Sequence, residues 1–538
     1  MDRAMDSAGG APPAGMWGTR ALSVLLRGAL VLPWLNPFAG GPSAMIQPWL
    51  IAAAATILLW HFIAPRVTRW QLGLVLGAAA LLAAIGQAEP SVLLAIGGLA
   101  VIALSAAVAA SGATRGWIVG AIVNAWLAAA LVSSLFALMQ YFGLAGHFTP
   151  WVNATEPGEA FANLRQRNQF ATLTSIGLAA LLWRVQHGAR LSWALAATVL
   201  LAVANAASAS RTGALQVVLL VLLTFWWVRP IRRAGAVCAA AVLAYGLAAL
   251  LLPAALQILS GISVPNAFGR LASSDGCASR SVLWSNVLHL IAQKPLRGWG
   301  WGELDYAHFA TLYPGARFCD ILDNAHNLPL HLAVELGVPV ASLACVGAIW
   351  WLVRQRPWNE PDATRQLAWS VIAVILFHSL LEYPLWYGPF QMAFGFSLGL
   401  LARGGRADAR TVGRLGHGLV SAALAAALFY AAADYHRVSQ LYLPAEQRSN
   451  LYRDRPLPRR GDSWLFRDQL AFAELSVRPL TRENAASVHA LAMDLLHYSP
   501  EPRVIDTAIE SAMLLGREEE ATWLLARSRA AFPQPVRD

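Results

Sequence analysis

The stretch with the most chemistry in reach is Asp320-Ile-Leu-Asp323-Asn324-Ala-His326-Asn327-Leu-Pro329, which closes a long polar loop and opens a strongly apolar run. Histidine titrates near neutrality, so His326 can take a proton from a hydroxyl or, when charged, donate to a phosphate. A helix starting here aims free backbone N–H groups outward, which makes an anion site. Spacings of three and four place Asp323, His326, Asn327 and Leu330 on one face of such a helix, with Asp323 or Asn324 as its cap. His331 faces elsewhere and reads as structural. The plainer alternative for His326 is a histidine that only marks the end of a span.

Two arginine segments, Ser208-Ala-Ser210-Arg211-Thr212 and Arg280-Ser-Val-Leu-Trp284, should reach the same boundary. Ser208 or Ser210 can cap the following helix, leaving Arg211 in its first turn, where the macrodipole disfavours a cation. A bound anion would reverse that penalty, and guanidinium grips phosphate oxygens bidentately. An arginine that merely snorkels to an interface is the alternative. Asn163, Arg165, Gln166, Arg167, Asn168 and Gln169 crowd amides and guanidiniums before another helix start. That set suits a pyrophosphate or a hydroxyl-rich glycan, or else simply caps a loop. Glu382-Tyr383-Pro384-Leu385-Trp386-Tyr387 turns between two apolar runs. There Glu382 is a candidate base or sugar-hydroxyl partner, and Tyr383 and Tyr387 can stack on sugars or bond phosphate. An aromatic belt is the alternative. Cys277 and Cys319 share the long loop, where an oxidising compartment permits a disulfide, while Cys238 and Cys345 lie in apolar runs as packing.

The elements that must hold these residues are membrane helices. The chain has 538 residues, 57% hydrophobic and 13% charged, with mean hydropathy +0.49. Soluble domains carry about 25% charged residues, so a single water-soluble core is excluded. About thirteen runs meet the length of a membrane helix: 18–35, 45–64, 70–88, 91–111, 116–144, 168–186, 190–207, 211–229, 235–257, 325–353, 366–382, 386–402 and 414–434. The first resembles a signal sequence without a convincing cleavage site and is kept as a span. Net charge is +10. The arginines fall mostly in every second gap (Arg66 and Arg69; Arg115; Arg184 and Arg190; Arg229, Arg232 and Arg233; Arg354 and Arg356; Arg403, Arg406, Arg410 and Arg414). That alternation puts the N-terminus in the cytoplasm and the C-terminal segment outside. It also accounts for the basic charge without nucleic acid, for which no basic groove with interleaved aromatics is present.

Three external gaps break the rule: 145–167 with Arg165 and Arg167, the turn bearing Arg211, and the loop 258–324 with Arg270, Arg280, Lys294, Arg297 and Arg317. Sequences tend to violate their own local rules at functional or strained sites. The loop's aromatics, as in Gly298-Trp299-Gly300-Trp301, predict a folded cap with short helices. Residues 1–434 therefore form the transmembrane part. After it, 435–538 are charged and amphipathic, with helices expected near 464–476, 481–497, 502–515 and 517–531, in a helical-hairpin pattern like tetratricopeptide repeats.

These residues resemble the O-antigen ligase and O-antigen polymerase superfamily of bacterial envelope proteins, and most of all the protein O-oligosaccharyltransferases. The resemblance rests on Gln140-Tyr141-Phe142-Gly143, Asn163 to Gln169, Ser210-Arg211-Thr212-Gly213 and Arg280 with Trp284. It rests equally on Gly298-Trp299-Gly300, Asn324-Ala-His326-Asn327 followed by Glu335-Leu336-Gly337, and Glu382-Tyr383-Pro384-Leu385. Relatives often have proline where this chain has Arg167. The resemblance implies an all-α polytopic fold of the GT-C kind in the bacterial inner membrane, its active site facing the periplasm. It implies a donor glycan on undecaprenyl pyrophosphate, a Ser or Thr acceptor on an exported pilin-like protein, and contact with membrane lipids. Arg211 and Arg280 would bind the pyrophosphate and His326 would be the essential histidine, with Arg165, Gln166, Arg167, Asn168, Gln169, Asp323, Asn327, Glu382, Tyr383 and Tyr387 around the substrates. No cofactor or metal is expected, because two guanidiniums can neutralise the leaving group. Alternatives are the same chemistry on lipid A core, glycan polymerisation, and a lipid-linked sugar transporter. A transporter would carry paired charges and broken helices at mid-membrane.

Overall fold

Where no water is available, each backbone N–H and C=O must find its partner within its own segment, so apolar runs of this length become helices. The structure, a computed structural model, describes residues 19–38, 41–65, 90–112, 116–264, 276–402, 414–453 and 460–532, with isolated positions between 77 and 84. Among these, every regular element is helical. In chain order the described helices are α1 Thr19–Leu35, α2 Ile46–Ile63, α3 Pro90–Gly112, α4 Gly116–Tyr141, α5 Arg167–Gln186, α6 Leu191–Ala207, α7 Arg211–Trp227 and α8 Arg232–Ser260. Then follow α9 Arg280–Gln293, α10 Leu304–Ala310, α11 Leu328–Leu336, α12 Val338–Gln355, α13 Ala363–Ser379, α14 Gly388–Leu401 and α15 Arg414–Ser439. Nearly all of the expected run 70–88, together with Arg66, Arg69, Arg115, Arg270, Arg403, Arg406 and Arg410, lies outside the described residues. Six described helices are long and apolar enough to cross a membrane, which makes the chain an all-α, multi-pass membrane protein in character. The total of about thirteen crossings stays an expectation.

The largest buried apolar cluster gathers α1 to α8, α13 and α14 around Trp34, Trp126, Leu173, Phe390 and Phe396. α14 lies against α3. Gly399 makes that approach possible, since a Cβ there would strike the carbonyl of Ala106. Small residues let membrane helices close in this way.

The run 325–353 departs from expectation: it is two helices, α11 and α12, broken at Gly337 with φ +87°. Pro339 follows, and a proline cannot continue a helix ladder. The carbonyls left free by the break are taken by the Gly-Trp-Gly loop, with Trp299 N–H on Val334 O at 2.8 Å and Gly300 N–H on Glu335 O at 3.0 Å. The loop thereby lies against the break. The cap that sequence led us to expect is built on α9 and α10, with a core of Leu283, Val287, Leu290, Leu304, Phe318, Leu322 and Val334. Past α15 and a single-turn helix at Asn450–Arg453, the described residues form α16 Arg467–Val477, α17 Ala485–Leu496, α18 Pro502–Leu514 and α19 Glu518–Ala531. Their apolar faces close on one another and on Phe309 of the cap.

Candidate functional site

α13 ends at Ser379, and the chain then curls back, with Leu381 and Glu382 N–H both on His378 O at 2.9 and 2.8 Å. That curl turns Glu382 inward, where its side chain is 11% exposed. One carboxylate oxygen, Oε1, accepts from the Arg280 guanidinium and from Asn168 Nδ2 at 3.2 Å. The other, Oε2, accepts from His326 Nδ1 at 2.8 Å. Burial pushes the Glu382 carboxyl up, but the His326 hydrogen bond and charge, with Arg280, outweigh it and hold the group below its ordinary value. A carboxylate only accepts, so Nδ1 carries a hydrogen and a neutral His326 keeps the Nε2 lone pair. His326 is 26% exposed, and the Tyr383 ring stands edge-on to it at 5.2 Å.

The local fold around His326 differs from the sequence expectation. His326 has φ +50°, and its N–H is taken by Asn324 Oδ1 at 2.9 Å. α11 begins only at Leu328, so Asp323 and His326 lie in the preceding turn, not on a shared helix face. The cap is Asn327, whose Oδ1 accepts Leu330 N–H at 3.1 Å, not Asp323 or Asn324. The physical reason is that Asn324 bends the chain before any helical bond can form, which Asx side chains do readily. Asn327 also donates to Leu380 O at 3.1 Å and so ties the turn to the end of α13. Asp323 is exposed, yet the protein around it pushes its carboxyl up against the opposing charge of His326.

Arg280 opens α9 behind its cap Ser279 and reaches Leu381 O through Nε at 3.0 Å as well as Glu382. Trp284, one turn on, donates to Ala325 O at 3.2 Å, so the same face of α9 holds the His326 turn. Arg211 opens α7 directly after Ser210, which caps that helix. Ser210 Oγ accepts Gly213 N–H at 3.0 Å and donates to Asn168 Oδ1 at 2.6 Å. One bonded chain thus runs from Ser210 through Asn168 and Glu382 to His326 and Arg280.

The 161–169 segment divides. Asn168 enters that chain, and Gln169, 4% exposed, bonds Tyr387. Gln166 caps α5 on Gln169 N–H at 2.7 Å. Arg165 takes the left-handed φ of +61° and turns to Pro37 O and to Asn153 Oδ1 at 3.0 Å. Arg167 faces Glu159 at 3.6 Å with both half exposed. Asn163 is buried on Leu35 O and Trp151 O, each at 2.9 Å. The rings of Tyr383 and Tyr387 stack at 6.2 Å. Burial raises both phenols, that of Tyr387 to about 12, so both stay protonated donors. Cys277 and Cys319 are joined, with Cα atoms 5.5 Å apart; Cys238 is free and buried, and Cys345 is free.

Sequence reading did not find the layer beneath Asn168. Thr172 Oγ1 donates to Asn168 O at 2.8 Å and meets His378 Nδ1 at 2.9 Å, with Gln216 alongside. All three are at most 3% exposed. Their signal was available: polar side chains inside apolar runs are rare and usually carry a role. Among the described residues no group of three or more His, Cys, Asp or Glu is placed to hold a metal.

Three family models match successive parts of the chain. "Protein glycosylation ligase" covers residues 160–185, "O-Antigen ligase" covers 196–345, and "Virulence factor membrane-bound polymerase, C-terminal" covers 366–536. The chain is 26% identical over 287 residues to a "General O-oligosaccharyltransferase" of Acinetobacter baylyi, covering 51% of this chain and 49% of the relative. It is 25% identical over 280 residues to a "ComP-specific O-oligosaccharyltransferase" of the same organism, covering 50% and 49%. The match spans about half the length of these curated relatives.

Proposed function

Taking as premise the chain's place in the O-antigen ligase superfamily and its likeness to protein O-oligosaccharyltransferases, we propose that it moves an oligosaccharide from a polyprenyl pyrophosphate, of the undecaprenyl type, to a Ser or Thr hydroxyl of an exported protein such as a pilin. The observation that carries this reading is the Glu382–His326 pair, bonded to Arg280 and, through Asn168 and Ser210, to the start of the helix that Arg211 opens. Glu382 fixes the imidazole so that Nε2 takes the acceptor proton as the acceptor oxygen bonds to the anomeric carbon. The bond from that carbon to the pyrophosphate breaks, and the pyrophosphate leaves with the electron pair. Arg211 and Arg280 offset the charge that develops, the kind of term that dominates many enzymes. Tyr383 and Tyr387 donate to sugar or phosphate oxygens. The arginine pattern and the disulfide in the cap support an inner-membrane protein with this site facing the periplasm.

The test is purified protein with a lipid-linked oligosaccharide and an acceptor protein. His326→Ala should lower transfer by about 10²–10⁴-fold with donor binding within a few-fold of wild type; near-normal turnover would refute the reading. The match to an O-antigen ligase model favours a second acceptor, lipid A core. Offering lipopolysaccharide core beside the protein acceptor decides between the two by which of them gains glycan.

A further inference from the structure

The groove between α9 and the turn Tyr313–Ala316 has no part in the chemistry above. It has a volume of about 330 Å³ and is lined chiefly by Ser281, Ser285, Asn286, His289, Tyr313 and Gly315. Small-molecule sites run from about 300 to 1,000 Å³. We propose that this groove is a glycan subsite holding sugars of the donor beyond the one whose bond breaks; the proposal rests on the transfer reading above.

Four observations carry it. First, position: the groove begins at Ser281, next to Arg280, whose guanidinium is on Glu382. Ser281, Ser285 and His289 lie four apart on one face of α9, so they run ~12 Å away from the site. Second, rigidity. Asn286 is 3% exposed and pins the far wall, donating to Ala316 O at 2.9 Å and accepting Phe318 N–H at 2.8 Å. The Cys277–Cys319 bond ties the approach to α9 to the end of that wall. Tyr313 is fixed as well: its hydroxyl donates to His308 Nδ1 at 2.8 Å, because His308 Nε2–H faces Phe318 O at 3.2 Å. A site held open in advance loses less freedom on binding.

Third, chemistry: among the described residues the lining carries hydroxyls, an imidazole and an aromatic ring, but no carboxylate, ammonium or guanidinium. Arg317 stands over the Tyr313 ring, 5.5 Å from its centroid, and donates to Thr311 O at 2.9 Å and His308 O at 2.8 Å, outside the lining. The rings of His289 and Tyr313, 5.4 Å apart and tilted by 57°, offer apolar surface to a sugar, and Ser281 and Ser285 can meet its hydroxyls. Fourth, a polypeptide is the poorer fit. Pro314 has no N–H, and Ala316 O is already taken by Asn286, so the wall offers little backbone for strand pairing.

The test uses the full-length protein in detergent with two donors, a polyprenyl pyrophosphate bearing one sugar and one bearing the host's whole oligosaccharide. Ser285→Trp, which fills the groove, and His289→Ala should raise KM for the long donor by about tenfold or more. They should leave kcat and the one-sugar donor unchanged. Equal effects on both donors, or none, overturn the proposal, and a change confined to the acceptor's KM assigns the groove to the acceptor instead. The free oligosaccharide, released from the donor by mild acid, gives a readout that does not need transfer. In ligand-observed NMR it should bind wild type and lose binding in Ser285→Trp. A wild type that transfers nothing but binds the sugar in this way sinks the transfer reading and keeps the groove; a wild type that binds none sinks the groove.

Discussion

Glu382 divides its two oxygens between a guanidinium and an imidazole, and that division sets what His326 can do. Replacing it by glutamine keeps the shape but can present an N–H to Nδ1, which then favours the wrong tautomer. Glu382→Gln is expected to cut kcat by about 10²–10⁴-fold with little change in donor affinity, read by single-turnover transfer. The same residue gives a pH signature. Its carboxyl sits below the ordinary 4.5, so its stabilising contribution is fully present above that pH and is lost as pH falls through the folded value. The wild-type advantage in melting temperature over Glu382→Gln should therefore hold at neutral pH and vanish in acid; an advantage unchanged down to pH 3 would contradict the ion-pair account. Residue type was legible at this scale and direction was not. Arg165 and Arg280 look alike in sequence, yet one braces a loop on Pro37 and Asn153 while the other reaches the site.

Helix positions were legible from apolar runs because the backbone has no other partner in an apolar medium. What escaped was the break at Gly337, since a run stays apolar whether or not its ladder continues. The break matters because it gives the cap its seat: Val338 N–H bonds Pro295 O at 2.8 Å, and Gly337 passes against Leu296 O. A Cβ at Gly337 meets that carbonyl in a left-handed backbone, so Gly337→Ala should cost at least about 1–3 kcal/mol. Thermal unfolding in detergent reads this as a lower melting temperature; an unchanged curve would mean the seat carries no strain. Starts were harder than middles. α11 begins at Leu328 because Asn324 turns the chain first, a competition between side chain and backbone that spacing does not reveal.

Across the whole molecule, the C-terminal helices close onto the cap that holds the groove. Phe309 is 2% exposed among Val488, Leu491 and Leu495. Arg527 lies over Trp523 at 3.8 Å and donates to Ala310 O at 2.8 Å. His497 meets Glu303 at 2.7 Å and stacks on Tyr306 at 3.7 Å. Phe309→Ala removes the central knob, an expected loss of about 3–5 kcal/mol. Limited proteolysis should then release a C-terminal fragment that wild type keeps, while α1 to α8 stay resistant; identical digestion patterns would show that the contact does not couple the two parts.

The amino-acid sequence by itself determined the apolar medium and the helical class, because each depends on residue type and local period, and it marked candidate site groups by type alone. Hydropathy requires helices, and the anion-seeking and proton-moving groups, His326, Arg211, Arg280, Asn168 and Glu382, are visible as types against an apolar background. Only the tertiary structure decided which of them meet. Glu382 and His326 are 56 residues apart in the chain, and Asn168 and Glu382 are 214 apart. Contacts of that separation come from how helices and loops close in space, which no local pattern encodes.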